Sequence, residues 1–257
     1  VAHSGGQAAV LGMDELMRAL EASSRAIDRE LAFLDACLLA EKSKYWRNAL
    51  FTYSKGDYWY NLTRIIHQDL TFLECHLIEA SREGGAKDGG SGSSSSSQQR
   101  AFLNAKNIHS IAETIRDNQF VFTWSVRLMA ALTKACAKED PLGVSQRHSR
   151  KPSLQDLLVT SVSLYAHLTS LEVQLAQASG KQTARPLREA VNAVVGVNAL
   201  GGDMESIYTN VWAMRDSLKL CLYATVRALG KKNVEGIAER ESAQHAHILN
   251  QILAHNL

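Results

Sequence analysis

The chain has 257 residues, 46% of them hydrophobic and 21% charged, with a formal net charge of +2. That balance supplies a large core and excludes a chain disordered throughout, and near-neutrality excludes a dedicated duplex binder, which would carry a strongly basic footprint. No apolar run reaches about 18 residues without a charge, so no membrane-spanning helix is expected.

Residues 1–11 read as a disordered tail, without the basic and apolar regions of a secretory leader, ahead of one helical domain over 12–257. From Met13, the positions Leu16, Leu20, Ile27, Leu31, Leu34 and Leu38 keep three-and-four spacing, which predicts one long amphipathic helix. It is expected to run on through Tyr45, Trp46 and Leu50 to a break at Lys55-Gly56. Asp57 is a natural N-cap for the next helix, whose inner face is Tyr58, Leu62, Ile65, Ile66, Leu70, Leu73 and Leu77. Residues 84–99 are rich in Gly and Ser and read as a flexible loop within the domain.

The next helix runs from Arg100 to about Lys138 and is apolar on nearly every face between Ile108 and Cys136, so it is expected at the centre of the fold. It stops at Asp140-Pro141, and a basic loop follows over 141–152. Ser153 then caps a helix whose inner face is Leu157, Leu158, Leu164, Leu168, Leu171 and Leu175 and which Gly180 closes. A short helix from Pro186 to about Leu200 is expected next, then a break at Gly201-Gly202. Asp203 caps a long helix to Gly230, and Val234 to Leu253 forms the last. The expected architecture is therefore all-α, with about seven helices. The four cysteines, Cys37, Cys75, Cys136 and Cys221, are far apart with no CxxC pair and read as reduced, structural thiols.

In the second half, Leu154-Gln155-Asp156-Leu157-Leu158 opens a helix to Gly180, Ala184-Arg185-Pro186-Leu187 follows, and a break at Gly201-Gly202-Asp203 leads into the helix ending at Leu229-Gly230. This order resembles that of the translin family. The resemblance implies long antiparallel helices around a central one, in subunits that bind single-stranded RNA or DNA as a homo-oligomer or with a second family subunit. The cytoplasm, and also the nucleus, are the compartments it implies. One branch of that family adds a metal-dependent endoribonuclease site of Glu and Asp on two neighbouring helices. Matching Ile108-His109 to the family's long third helix puts its acidic positions on Asn118 and Val121. Matching Tyr58-Trp59-Tyr60 instead puts them on Asp69 and Phe72, and leaves 101–138 as an inserted core helix, so the first register is preferred. The acid of the following helix falls near Tyr165. Neither register completes the carboxylate set, so the chain reads as a binding subunit without catalysis of its own or a cofactor.

Binding to strand phosphates needs cations along a groove and aromatic faces on which bases stack. Arg64, His67, Arg100, Lys106, His109 and Arg116 are candidate phosphate contacts, and Arg147, Arg150 and Lys151 form a second group in the basic loop. Tyr58, Trp59 and Tyr60 are candidate stacking faces beside Arg64. The catalytic alternative, an endoribonuclease dependent on Mg2+, uses Glu113 and Asp117 as its carboxylates. They recur with His109 every four residues, so the three share one helix face as a metal set. A third reading is a helical scaffold that binds only protein partners. His245 and His247 are two apart on a helix and cannot both ligate one metal ion.

Overall fold

Three-and-four apolar spacing over most of a chain is satisfied by helices packed side by side. The computed structural model describes residues 4–21, 25–82, 105–146, 151–178 and 200–255, and those residues contain helices and no strand. The elements are α1 (Ser4–Leu20), α2 (Ala26–Lys42), α3 (Lys44–Thr52), a 3-10 turn (Tyr53–Gly56), α4 (Asp57–Arg82) and α5 (Ala105–Glu139). A second 3-10 turn (Val144–Gln146) follows, then α6 (Leu154–Ala178), α7 (Leu200–Leu229), α8 (Lys231–Ala238) and α9 (Ala243–His255). The all-α class is as the sequence predicts, but the described residues hold nine α-helices where about seven were expected.

Each departure has a local cause. The first helix begins at Ser4, inside the stretch read as a tail. The single arm expected from Met13 to Gly56 is three helices. Arg29 Nε donates to the Leu20 carbonyl at 2.9 Å, satisfying the end of α1, and Ser43 leaves helical geometry with φ −107°. Its hydroxyl accepts from the Trp46 N–H at 3.1 Å, which caps α3. α7 begins at Leu200, so Gly201 and Gly202, expected as a break, lie in its first turn, and Asp203, expected as its cap, lies inside it. Glycine costs only about 1 kcal/mol per helix position, which the buried face of Val211, Met214, Leu218, Leu222 and Val226 outweighs. The last helix is two, because the Ser242 hydroxyl accepts from the His245 N–H at 3.3 Å and restarts the chain as α9. The loop over 84–99 and the short helix from Pro186 lie outside the described residues.

Two compact units are present. The first comprises Val1–Thr71, Phe120–Ala166 and Asp216–Leu257, and the second Phe72–Gln119 and His167–Arg215. The first unit buries Phe33, Leu50, Phe51, Leu62, Ile66 and Leu128, each at most 1% exposed. In the second, Leu73, Ile111, Ile115, Leu168, Leu175 and Val211 do the same. Full burial of such a side chain contributes about 2 kcal/mol.

Inside the first unit, near-buried ion pairs fix helices to one another. Arg29 bonds Asp69, whose carboxyl is nevertheless pushed up by burial. Arg47 Nε and Nη2 donate to Glu139 at 2.7 and 2.9 Å, and its Nη1 donates to the Ala40 carbonyl at 2.8 Å, so one guanidinium ties α3 to the ends of α5 and α2. After α5, the Asp140 carboxylate accepts from the Val144 and Ser145 N–H groups at 2.9 and 2.8 Å and closes the turn. At the other end of that connection, Ser153 and Asp156 cap α6 reciprocally, the Asp156 carboxylate accepting from the Ser153 N–H at 2.8 Å and Ser153 Oγ from the Asp156 N–H at 3.3 Å.

Candidate functional site

The helix expected to be apolar all round has a wet face. In α5 the residues Phe120, Trp124, Arg127, Ala131, Lys134 and Lys138 alternate four and three apart, and so form one strip along the helix. Phe120 is 42% exposed, Arg127, Lys134 and Lys138 are exposed, and Trp124 and Ala131 are half-buried. The buried stripe is Phe122, Val126, Met129, Leu132 and Cys136, on the other side. The expectation that α5 is enclosed on every face is corrected here. Phe and Trp carry the same apolar signal whether they face a core or a ligand.

The strip is ordered by its own contacts. Phe120 and Trp124 meet edge-on with ring centroids 5.9 Å apart, and the Arg127 guanidinium lies over the Trp124 ring at 5.2 Å. Arg127 also donates to both carboxylate oxygens of Glu41, at 2.5 and 2.9 Å. Held between a ring and a bidentate acceptor, the guanidinium plane is fixed in advance of any ligand. The Arg127 hydrogen bonds draw the Glu41 carboxyl below its ordinary range, and those of Arg47 do the same for Glu139. The charge of Lys42 bears on Glu41 and that of Lys44 on Glu139. Both carboxylates are engaged by arginine, and Lys134 and Lys138 follow the two rings several turns further along the same helix face.

The predicted phosphate contacts are placed unevenly. Arg64 lies on α4, where Nη1 donates to Gln68 Oε1 at 3.2 Å and Nη2 is 3.9 Å from Glu21. His67 Nε2 is within hydrogen-bond distance of Thr160 Oγ1 at 3.1 Å. Lys151 is exposed just ahead of α6, and its charge and that of His67 both act on Asp156. Burial pushes the Asp156 carboxyl up, but the Ser153 hydrogen bonds and these two cations outweigh it and leave the carboxyl below its usual range. Two cation groups that are remote in sequence thus meet at one carboxylate. Arg116 is exposed on α5 within the second unit. Lys106 and His109 lie on α5, but their side chains, and all of Arg100, Arg147 and Arg150, fall outside the described residues.

Two of the three predicted stacking faces are corrected. Tyr58 and Trp59 are 8% and 6% exposed. Trp59 packs on Phe51 at 5.2 Å between centroids, and Tyr58 stacks on Tyr53 at 5.5 Å while its hydroxyl donates to Asp14 at 2.5 Å. Only Tyr60 of that run is half-exposed. Glu113 and Asp117 of the alternative catalytic set are exposed on α5, and Tyr165 is half-buried. Among the described residues no three His, Cys, Asp or Glu side chains gather as a metal ion would need. Asp69, acidic in the second family register, is committed to Arg29.

Within the second unit, Arg215 bonds Glu172, and Glu74 stands 3.6 Å from His167, each pair joining two helices. His245 contacts Glu241 and His247 contacts Gln251, so the two histidines turn to different partners. No protein-family profile matches the chain, and no curated protein is significantly similar to it.

Proposed function

We propose that the chain is a single-stranded RNA- or DNA-binding subunit and that the α5 strip is its contact surface. The observation that carries this reading is the run Phe120, Trp124, Arg127, Lys134 and Lys138, which places two rings and then three cations along one helix face that meets water. Single strands are held by stacking of bases on aromatic rings and by cations that follow the phosphates, and stacking contributes about 1–3 kcal/mol per base. The helix order that resembles the translin family supports the same substrate class and an assembly of several subunits, none of them requiring catalysis from this chain. Lys151, whose charge acts on Asp156, and Arg64 on α4 supply further positive charge in the same unit.

The test is fluorescence anisotropy of a labelled oligo(dT) or oligo(U) strand at low and moderate salt. Binding that weakens with salt is expected, because phosphate contacts release counterions. Lys134→Glu with Lys138→Glu, both at exposed positions, is expected to abolish most of it, and Trp124→Ala to weaken it even at low salt. Affinity unchanged in both variants would reassign the surface.

A further inference from the structure

A second exposed face lies on α2. Ile27, Leu31, Leu34 and Leu38 follow one another four, three and four residues apart, the spacing of a coiled-coil seam. The helix makes its buried contacts on the opposite side, through Phe33, Ala36, Cys37 and Ala40. Ile27 is 59% exposed and Leu31 51%, with Leu34 and Leu38 half-buried. An apolar row that stays partly in water along its length is uncommon unless something covers it.

The charges beside the seam indicate what covers it. Asp28, Glu30 and Asp35 occupy the flanking positions. Arg25 offsets only Asp28, at 2.7 Å, and Arg29 is turned inward to the Leu20 carbonyl and Asp69. If two copies of the seam met, parallel or antiparallel, these carboxylates would face one another, and like charges across an interface are costly. A second copy of the same face is therefore a poor occupant.

We propose that the α2 seam docks an amphipathic helix of another protein, with apolar residues at heptad spacing and Lys or Arg flanking them. Apolar side chains interleave along the seam and the flanking cations meet Asp28, Glu30 and Asp35. The seam residues are not part of the α5 strip, and the proposal does not depend on nucleic-acid binding.

The full chain is titrated against two labelled synthetic peptides, both with leucines at the seam positions, one flanked by lysines and one by glutamates. The lysine peptide is expected to bind and the glutamate peptide not. Leu31→Glu, at an exposed position, is expected to weaken binding at least about tenfold, and Asp28→Lys with Asp35→Lys to reverse the peptide preference. Equal binding of both peptides, failure of the lysine peptide to bind, or no effect of Leu31→Glu overturns the proposal. So does a fall in solution mass on Leu31→Glu by light scattering, since that makes a second copy the occupant. Oligonucleotide affinity is measured on the same variants, and its retention keeps the two surfaces distinguishable.

Discussion

Arg47 shows how a single side chain organises the first unit. Its pair with Glu139 is nearly enclosed, the two side chains being 13% and 15% exposed, and its third contact is the Ala40 carbonyl near the end of α2. Removing one partner of such a pair leaves a buried charge and costs about 3 kcal/mol. The pH dependence follows from the direction of the shift. The Glu139 carboxyl is held below its unfolded value by Arg47, so its contribution is present above the usual carboxylate range and is lost as pH falls through the lowered folded value. Arg47→Ala is therefore expected to lower stability at neutral pH, with a difference from the parent that shrinks in acid. Urea unfolding of both proteins at the two pH values measures it. The exposed Arg127–Glu41 pair is expected to matter far less for stability.

The cysteines divide by burial. Burial pushes the Cys37, Cys136 and Cys221 thiols up to about 12, which leaves them protonated and unreactive at neutral pH. Cys75 is exposed. One thiol of the four is expected to react promptly with a disulfide reagent in the native protein and all four after denaturation, and peptide mapping should place the fast one at Cys75. Prompt modification of Cys221 would contradict its placement. Of the four cysteines read in the sequence as structural thiols, three are buried, and Cys75 shows that spacing alone does not fix which side of a helix meets water.

At the scale of the element, helices were legible wherever apolar residues recurred every three or four positions over several turns. The start of α4 at Asp57, the end of α5 at Glu139 and the Ser153 cap of α6 are all written in local chemistry. What was not legible was the competition between a cap and a continuing pattern. Ser43 interrupts a periodicity that runs on through Trp46 and Leu50, while Gly201-Gly202 lies inside the first turn of a helix. The outcome depends on buried neighbours from elsewhere in the chain. The α5 strip was hidden for the same reason, since an aromatic residue signals burial in a sequence and only packing reveals that Phe120 and Trp124 were left partly uncovered. The stacking role given to Tyr58 and Trp59 erred in the opposite direction.

The turn before α4 offers a direct check of element packing. Gly56 has φ +91°, and a Cβ placed there would lie 2.2 Å from Val144 Cγ1. The left-handed conformation and the clash together are expected to make Gly56→Ala destabilising by about 2–4 kcal/mol. Gly56→Ala combined with Val144→Ala relieves the clash but not the backbone strain, so it should recover part of the loss, read as a partial return of the melting temperature. Full recovery would show that the backbone conformation at Gly56 carries no strain.

At the scale of the molecule, a near-neutral chain has sorted its charges. Its near-buried arginines serve helix-to-helix pairs with Asp69, Glu139 and Glu172, while Lys134 and Lys138 lie along the exposed face of α5 and carboxylates border the seam of α2. Net charge alone concealed this, because the two local surpluses cancel in the sum. The fold class was readable from the sequence, and the substrate class it suggested now rests on a surface that the sequence reading had assigned to the core. The decisive measurement is the salt-dependent affinity of a labelled single strand for the parent chain beside Lys134→Glu with Lys138→Glu. The account predicts binding that falls steeply with salt and collapses in the double variant. Binding of equal strength in the two proteins, or none to the parent at low salt, would contradict it.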